Sequence, residues 1–300
     1  MINQKRNRWN RESLAGYLFV LPNFLGVFIF ILFPLVLSLV MVFMDWDYLR
    51  GTEGIEWIGF ENIVRLFQDD YFWTSLKNNI IFTGATVPSA MIVGLIVAVV
   101  LNSHVYLKNV LRVLFFLPYV SSIVAISVVW SVMYNPSEGP INQFLRSIGF
   151  ENVPGWLASQ HWALPAIIIM VAWTYTGYTM ILYMAGIQGI PKDLYEAADI
   201  DGASKLRQFI SITIPRLKPT SFMIAITLII STFQVFAAVS VMTKGGPINS
   251  TMVLSYYIYV QAFQYYEVGY AATVSWALFL IIFAVTMVQW RTQKKWQNDF

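Results

Sequence analysis

The sequence predicts an all-α integral membrane protein with six transmembrane helices, from its composition and the length of its apolar runs. Hydrophobic residues fill 57% of the 300 positions and charged residues only 12%. The charged share is about half of what soluble domains carry. A helix needs about 20 apolar residues to cross the hydrocarbon core. Six runs meet this requirement, with predicted bounds of 17–43, 79–101, 113–134, 163–186, 220–242 and 269–290.

The first span follows a basic segment and has some features of a signal peptide. Lys5, Arg6, Arg8 and Arg11 precede the apolar run of 17–43. That run is much longer than the 7–15-residue core of a signal peptide, and no A-x-A cleavage site follows it. We therefore expect a retained membrane anchor.

The distribution of basic residues predicts the orientation of the chain. Fourteen of the 19 Lys and Arg residues lie before the first span, after the second, after the fourth or after the sixth. Because cytoplasmic segments carry the excess of Lys and Arg, we expect both termini in the cytoplasm. The whole chain, 1–300, is then a single transmembrane domain. It has a cytoplasmic N-terminus at 1–16, a six-helix region at 17–290 and a cytoplasmic tail at 291–300.

The positions of the charged residues and the numbers of cysteine and histidine residues disfavour several classes of function. Every Asp, Glu, Lys and Arg falls outside the six spans, whereas ion-coupled carriers usually keep ionisable groups in the membrane. Sodium sites built from backbone and hydroxyl groups remain open. The chain has no cysteine, and His104 and His161 are too few for a histidine metal cluster. We expect no metal site and, at a net charge of +3, no nucleic-acid partner. A membrane enzyme would need a cluster of acids, histidines or a nucleophile at one membrane face.

The segment between the first two spans, 44–78, combines acids with Trp46, Trp57 and Trp73 and has no long apolar run. We expect short amphipathic helices at the membrane interface, where tryptophan is favoured. A solvated cap over the helices and a docking rim for an external partner both fit this composition. The segment 243–251 is predicted to break the chain just outside the fifth span.

The connection between the fourth and fifth spans, about 187–219, is long and polar. Its stretch "LYEAADIDGASKLRQFISITIPRLKP" begins at Leu194. Pro191 suits an early helix position, and the acids that follow complement the positive end of the helix dipole. Asp201 and Gly202 predict a turn, after which Ser204 caps a second short helix. Two prolines, Pro215 and Pro219, are predicted to end that helix.

Leu194, Ala197, Ala198 and Asp201 are spaced to share one side of the first short helix. Small alanines permit close approach of another surface, and flanking acids would pair with a basic rim. Both features are typical of a helix seated in a partner's groove. The alternative is an amphipathic helix lying on the membrane, but the polar side of such a helix is normally basic.

The same connection carries a family resemblance. It resembles the EAA signature of binding-protein-dependent ABC importer permeases, EAA-x3-G-x9-I-x-L-P. The matching residues are Glu196, Ala197, Ala198, Gly202, Ile212, Ile214 and Pro215, with Ile214 where leucine is usual. Further stretches are similar to the first permease subunit of maltose-type sugar importers: "WIGFENIVRLF" (57–67), "LKNNIIFT" (76–83), "FFLPYVSSIVAISVVWSVMYNPSEGPIN" (115–142) and "GGP" (245–247).

This resemblance implies the type I ABC importer permease fold in the bacterial cytoplasmic membrane. The EAA helix would be the coupling helix, seated in a cleft of a cytoplasmic ATPase subunit. The implied coupling residues are Glu196, Ala197, Ala198, Asp201, Gly202 and Pro215. The implied partners are a second, homologous permease subunit, two ATPase subunits and an extracytoplasmic solute-binding protein. ATP and Mg would sit on the ATPase subunits and no cofactor on this chain, which has no G-x-x-x-x-G-K-[ST] phosphate loop.

A sugar path needs aromatic faces and neutral hydrogen-bonding groups in an otherwise apolar wall. Six residues near mid-membrane offer them: Trp173, Tyr175, Tyr178, Thr232, Gln234 and Trp276. The alternative is ordinary helix packing, which uses the same residue types. The favoured substrate is an oligosaccharide, and the runner-up is glycerol-3-phosphate or its diester. A phosphate would require a cationic or donor-rich path, and the spans contain no cation. An ion-coupled secondary carrier is the more distant alternative.

Overall fold

The computed structural model describes residues 3–103 and 106–297, and its side chains are described from 13 to 291 except at 50, 52, 104 and 105. The side chains that lie outside the described part therefore include His104 and, at the chain ends, Lys5, Arg6, Arg8, Arg11, Lys294 and Lys295. The sidedness of the loops stays a prediction.

The chain divides into two compact units. The first is formed by Met1–Gln68 and Gln261–Trp276, and the second by Asp69–Val260 and Ala277–Phe300.

The first unit holds a long apolar helical segment followed by a small hairpin. In chain order its elements are α1 (Asn3–Val27), a π-helical turn (Phe28–Leu32), α2 (Phe33–Met41), β1 (Met44–Trp46), a 3-10 turn (Tyr48–Gly54), β2 (Ile55–Trp57) and α3 (Glu61–Gln68). β1 and β2 pair antiparallel, with Met44 opposite Trp57.

The second unit contains most of the helices. They are α4 (Asp70–Asn102), α5 (Lys108–Val120), α6 (Ile123–Met133), α7 (Pro140–Ser147), α8 (Ala163–Gln188), α9 (Asp193–Ile200), α10 (Lys205–Gln208), α11 (Ile214–Arg216), α12 (Lys218–Phe233), α13 (Ala237–Met242) and α14 (Leu254–Tyr259). α15 (Val268–Gln297) begins in the first unit and continues in the second.

Within the described residues, four helical segments are long and apolar enough to cross a membrane. They are Ser13–Met41, Asp70–Asn102, Ala163–Gln188 and Val268–Arg291. The count rises to six if two bent pairs of helices are each taken as one span. This is the all-helical membrane architecture that the apolar runs predict.

Two of the predicted spans are interrupted in the structure by breaks that the apolar runs do not indicate. In 113–134 the helix stops at Ser121–Ser122, and α5 and α6 meet at an angle of 98°. In 220–242 the helix stops after Phe233 and restarts at Ala237. Apolar composition predicts that a segment lies in the membrane. It does not predict local breaks in the helix, because the backbone groups at such a break form hydrogen bonds with residues distant in sequence.

The segment 44–78, which is predicted to be external, also departs from expectation. Only α3 is a short separate helix, because residues 70–78 belong to α4 and residues 44–57 form the hairpin. The Asn62 amide donates to the carbonyls of Val42 and Met44, at 3.1 and 3.0 Å, and so fixes the hairpin against α3. The ring of Phe43 stacks on Trp57 at 5.7 Å.

The core of the second unit forms where α4, α8 and α12 pack together. Its buried side chains include Ala90, Ala98, Met180, Tyr183, Ile224 and Leu228. α4 and α8 approach closely at Gly94, where a Cβ would collide with the Thr179 side chain. The Thr179 hydroxyl donates to the Ala90 carbonyl at 2.8 Å. This close contact packs α8 against α4.

Candidate functional site

A cavity of about 520 Å³ lies where the two helix breaks meet α8. Residues on either side of the first break line it, and so does the whole second break. The lining is Tyr119, Ser121, Ile123, Val171, Thr174, Tyr175, Ser231, Gln234, Val235, Phe236, Ala237 and Ala238. This volume falls in the ~300–1,000 Å³ range of small-molecule sites. Discontinuous membrane helices commonly line the binding sites of transporters.

Aromatic rings form one side of this cavity. Tyr119 stacks on Tyr178 with ring centroids 4.8 Å apart and lies 6.2 Å from Tyr175. Ser231 lines the same cavity and offers a hydroxyl group. Gln234 is exposed in the opposing break, where its amide offers both a donor and an acceptor. None of the described lining residues carries a charge. The cavity therefore suits a neutral, hydroxyl-rich molecule with flat apolar faces.

The six predicted path residues are not all brought together. Tyr175 and Gln234 line the cavity, and Tyr178 contacts its lining through Tyr119. Trp173 lines a separate, mostly apolar cavity of about 550 Å³ and packs against Trp130 at 5.4 Å.

The last two path residues are engaged elsewhere. Thr232 is fully buried, and its hydroxyl donates to the Leu228 carbonyl at 2.7 Å. Trp276 belongs to the first unit, where its indole N–H donates to the Ser38 hydroxyl at 3.3 Å.

Tyr119, Ser121 and Phe236 line the cavity but were missed by the sequence reasoning. Each lies inside or beside an apolar run whose composition predicts uninterrupted helix. The adjacent serines Ser121 and Ser122, three residues after Pro118, are the one local signal for the first break. The Ser121 hydroxyl donates to the Leu117 carbonyl at 2.8 Å and so closes the end of α5.

The connection between α8 and α12 has the predicted shape of a helix, a turn and a second helix. α9 ends in a turn where Gly202 has φ +73°. The Ala203 amide donates to the Ala198 carbonyl at 2.9 Å, and the Gly202 amide to the Asp199 carbonyl at 3.1 Å. This is the glycine-closed helix terminus that satisfies orphan carbonyls.

The predicted cap and the predicted end of the second helix are both confirmed. The Ser204 hydroxyl accepts from the Arg207 amide at 3.3 Å, at the start of α10. The helical run then bends by 61° at Leu217, between Pro215 and Pro219, before α12 begins.

A polar clamp fixes the angle between α9 and α10. The Lys205 ammonium lies 2.9 Å from a carboxylate oxygen of Asp199, and the Gln208 amide donates to the same oxygen at 2.5 Å. The hydrogen bond from Lys205 and then that from Gln208 hold the pKa of Asp199 below its ordinary value. The two short helices therefore behave as one bent element.

The surface of this bent element is open. Glu196, Ala197, Asp201 and Gly202 are exposed, whereas Leu194, Ala198 and Pro215 are partly buried. The exposed side also presents Ile200 at 87% and Leu206 at 68% of their full accessible area. Large aliphatic side chains left this open next to acids are typical of a partner-binding surface.

Broken membrane helices around a neutral cavity, together with an exposed bent element between two spans, are features expected of the membrane subunit of a transporter. The chain belongs to the family described as binding-protein-dependent transport system inner membrane component, whose model matches residues 90–295. The family resemblance noted on the EAA motif is thereby confirmed. Members of this family are transporter permeases, so the chain is a multi-pass membrane protein and not itself a catalytic enzyme.

Relatives cover nearly the full chain. It is 39% identical over 282 residues to the lactose transport system permease protein LacF of Rhizobium radiobacter, covering 92% of this chain and 93% of that one. It is 34% identical over 281 residues to the trehalose/maltose transport system permease protein MalF of Thermococcus litoralis, covering 93% of each.

The fold matches a solved transporter. A chain of the bacterial alginate ABC transporter, solved in complex with alginate pentasaccharide-bound periplasmic protein, superposes with a TM-score of 0.80 at 24% identity. The match covers 93% of each chain. The fold is thus that of the ABC importer permeases.

Proposed function

We propose that this chain is one permease subunit of an ATP-driven importer for a neutral sugar, with an oligosaccharide as the favoured size. The observation that carries the proposal is the uncharged cavity between the two helix breaks. It combines the aromatic faces of Tyr119 and Tyr175 with the amide of Gln234. Stacking faces and neutral hydrogen-bonding groups are what a sugar requires of its path.

The transport systems to which the relatives belong support a sugar substrate. Lactose, trehalose and maltose are neutral disaccharides, and the relatives named for their transport align with almost the whole chain. Glycerol-3-phosphate, the alternative substrate, would require a cationic or donor-rich lining. The described lining residues are neutral, which favours the sugar.

The bent element formed by α9 and α10 would couple this chain to ATP hydrolysis by the ATPase subunit. Its exposed Glu196, Ala197, Asp201 and Gly202 would seat in a cleft of a cytoplasmic ATPase subunit, with Pro215 setting the bend toward α12. The clamp between Asp199 and Lys205 keeps the element rigid, so that it can transmit a movement as one body. ATP and Mg would be bound by two such ATPase subunits and not by this chain.

Two further partners complete the proposed assembly. A second, homologous permease subunit would form the other half of the path, and both permease subunits would lie in the bacterial cytoplasmic membrane. An extracytoplasmic binding protein would deliver the sugar to them. The alginate transporter, whose chain shares this fold, was solved together with its periplasmic protein.

The test is uptake by the complete complex in liposomes. Both permease subunits, the ATPase subunits and the binding protein are reconstituted, and uptake of radiolabelled lactose, maltose, trehalose and glycerol-3-phosphate is measured with and without internal ATP. We expect ATP-dependent uptake of a sugar that an ionophore does not abolish. Gln234→Leu should reduce it by about 5–100-fold, which corresponds to one lost buried hydrogen bond. The matched control is Ser89→Ala in the apolar cavity.

Three results would contradict the proposal. Uptake that collapses with the ionophore while ATP is present would indicate ion coupling. Preferential uptake of glycerol-3-phosphate would show that the substrate is this phosphate ester and not a sugar. Equal uptake by the Gln234→Leu and Ser89→Ala complexes would show that the cavity lined by Gln234 is not part of the transport path.

A further inference from the structure

The break in the fifth span poses a backbone problem. When α12 stops at Phe233, the last carbonyls of the helix have no amide four residues ahead to accept from. The amides at the start of α13 are likewise without intrahelical partners. In apolar surroundings each unsatisfied backbone group is costly. A continuous helix through residues 234–236 would satisfy both sets, so something must stabilise the break.

One buried side chain supplies a further partner for the end of α12, where the Thr232 carbonyl accepts from the Val235 amide at 3.3 Å and the Phe233 carbonyl from the Ser255 hydroxyl at 3.4 Å. The Asn79 side-chain amide donates to the Phe233 carbonyl at 3.2 Å and lies 3.5 Å from the Thr232 carbonyl. Its carbonyl oxygen accepts from the Leu254 amide at 2.8 Å, at the start of α14. Since the Leu254 amide can only donate, the oxygen must face it, which fixes the orientation of the Asn79 amide. Asn79 is fully buried.

Asn79 is set apart from its neighbour in sequence. The amide of Asn78 donates to the carbonyls of Asn249 and Met252, at 3.0 and 2.9 Å, and so holds the loop between α13 and α14. Of the two asparagines only Asn79 bonds the broken end of α12. It does not line the cavity, to which this part of the chain contributes Ser231 and the residues from Gln234 to Ala238.

We propose that Asn79 is a positioning residue that keeps the fifth span broken and thereby places Gln234 and Phe236 in the wall of the transport cavity. The role of the cavity rests on the proposed function, but the clamp itself does not. Asparagine fits because one short side chain carries both the donor for the end of α12 and the acceptor for the start of α14. Without it, the Phe233 carbonyl keeps only the 3.4 Å hydrogen bond from the Ser255 hydroxyl and the Leu254 amide loses its acceptor, so closing the helix becomes more favourable. Gln234 would then leave the cavity.

The absence of cysteine from this chain permits a direct test. A single cysteine replaces Gln234 in the assembled complex, and its labelling rate by a water-soluble maleimide is measured without any sugar present. Asn79→Leu, close in volume but without either polar group, should slow labelling by at least about tenfold. Asn79→Ser keeps one hydrogen-bonding group and should slow it by a smaller factor, which gives a second variant if Asn79→Leu fails to assemble.

Two controls separate positioning from general damage. Thr179→Val removes another buried hydrogen bond, that to the Ala90 carbonyl, and should leave the labelling at position 234 unchanged. A cysteine replacing Ser89, in the apolar cavity, should be labelled at the same rate whether Asn79 is intact or carries the Asn79→Leu substitution.

Unchanged labelling at position 234 in both Asn79 variants would overturn the proposal. So would an equal slowing in Thr179→Val, because the effect would then be general loosening. Labelling needs no transported molecule, so this outcome is independent of the uptake assay. Failure of every sugar to be transported would refute the proposed function and leave the clamp intact.

Discussion

Replacing Gly202 by alanine tests the turn between α9 and α10. Gly202 has φ +73°, and a Cβ added there meets no atom within 4 Å in this chain. The substitution therefore acts through the backbone alone. An L-residue in the left-handed region raises the conformational free energy of the turn by about 1–2 kcal/mol. That cost multiplies the population of the opened turn by about 5–30-fold. Gly202→Asn should have a smaller effect, because asparagine tolerates this region.

The assay is hydrogen exchange of the intact complex, read on the peptide that contains Ala203. The Ala203 amide bonds to the Ala198 carbonyl only when the turn is formed, so its exchange should accelerate by about 5–30-fold in Gly202→Ala. ATPase activity stimulated by the sugar-loaded binding protein should fall in the same variant. Gly59 provides the matched control, since it has φ +62° and equally open space but lies in the segment 44–78, far along the chain from the turn.

Gly59→Ala carries the same backbone cost, but it should leave both the exchange of Ala203 and the stimulated ATPase activity unchanged. The reasoning is refuted if Ala203 exchanges at the parent rate in Gly202→Ala. It is also refuted if the two alanine variants lose equal ATPase activity.

Two further predictions concern packing and pH. Gly177→Ala should lower the melting temperature of the purified complex, because its Cβ would collide with the Phe115 backbone, and overpacking costs about 1–3 kcal/mol. Gly84→Ala, in open space on α4, should not lower it. The pKa of Asp199 is lower in the folded protein than its ordinary value of 3.8. Asp199 therefore stabilises the turn fully at pH values above 3.8, and this stabilisation is lost as the pH falls through the pKa of the folded protein. Lys205→Met should raise the Asp199 pKa toward its ordinary value, as followed by the carboxyl ¹³C shift of labelled protein, and a pKa unchanged by this substitution would contradict the clamp.

Local signals were sufficient for the bent element. The residues that shape it lie within a few positions of the bonds they make, as Ser204 does to the Arg207 amide. Glycine at a left-handed turn and proline at a helix boundary are backbone requirements that can be read from residue type. The apolar runs likewise predicted which segments lie in the membrane, because span length depends on composition.

The cavity was less accessible to sequence reasoning, because its walls depend on distant partners. The break after Phe233 is stabilised by Asn79, which is 154 positions away in the chain. Composition alone cannot show which face of a span is buried. It therefore does not separate Gln234, which lines the cavity, from the buried Thr232 or from Trp173 in the other cavity. The hairpin of the external segment is fixed by a similar distant bond, from Asn62 to the carbonyls of Val42 and Met44.

The central claim is that the transported sugar occupies the cavity between the two helix breaks. The most direct measurement is protection of a single cysteine at position 234 from maleimide labelling by a sugar that the same complex transports. We predict that this sugar slows labelling at position 234 by at least about tenfold at saturation, as burial under a bound ligand requires. A cysteine replacing Ser89, in the separate apolar cavity, should be labelled at an unchanged rate. A transported sugar that leaves the labelling of position 234 unaltered would contradict the account.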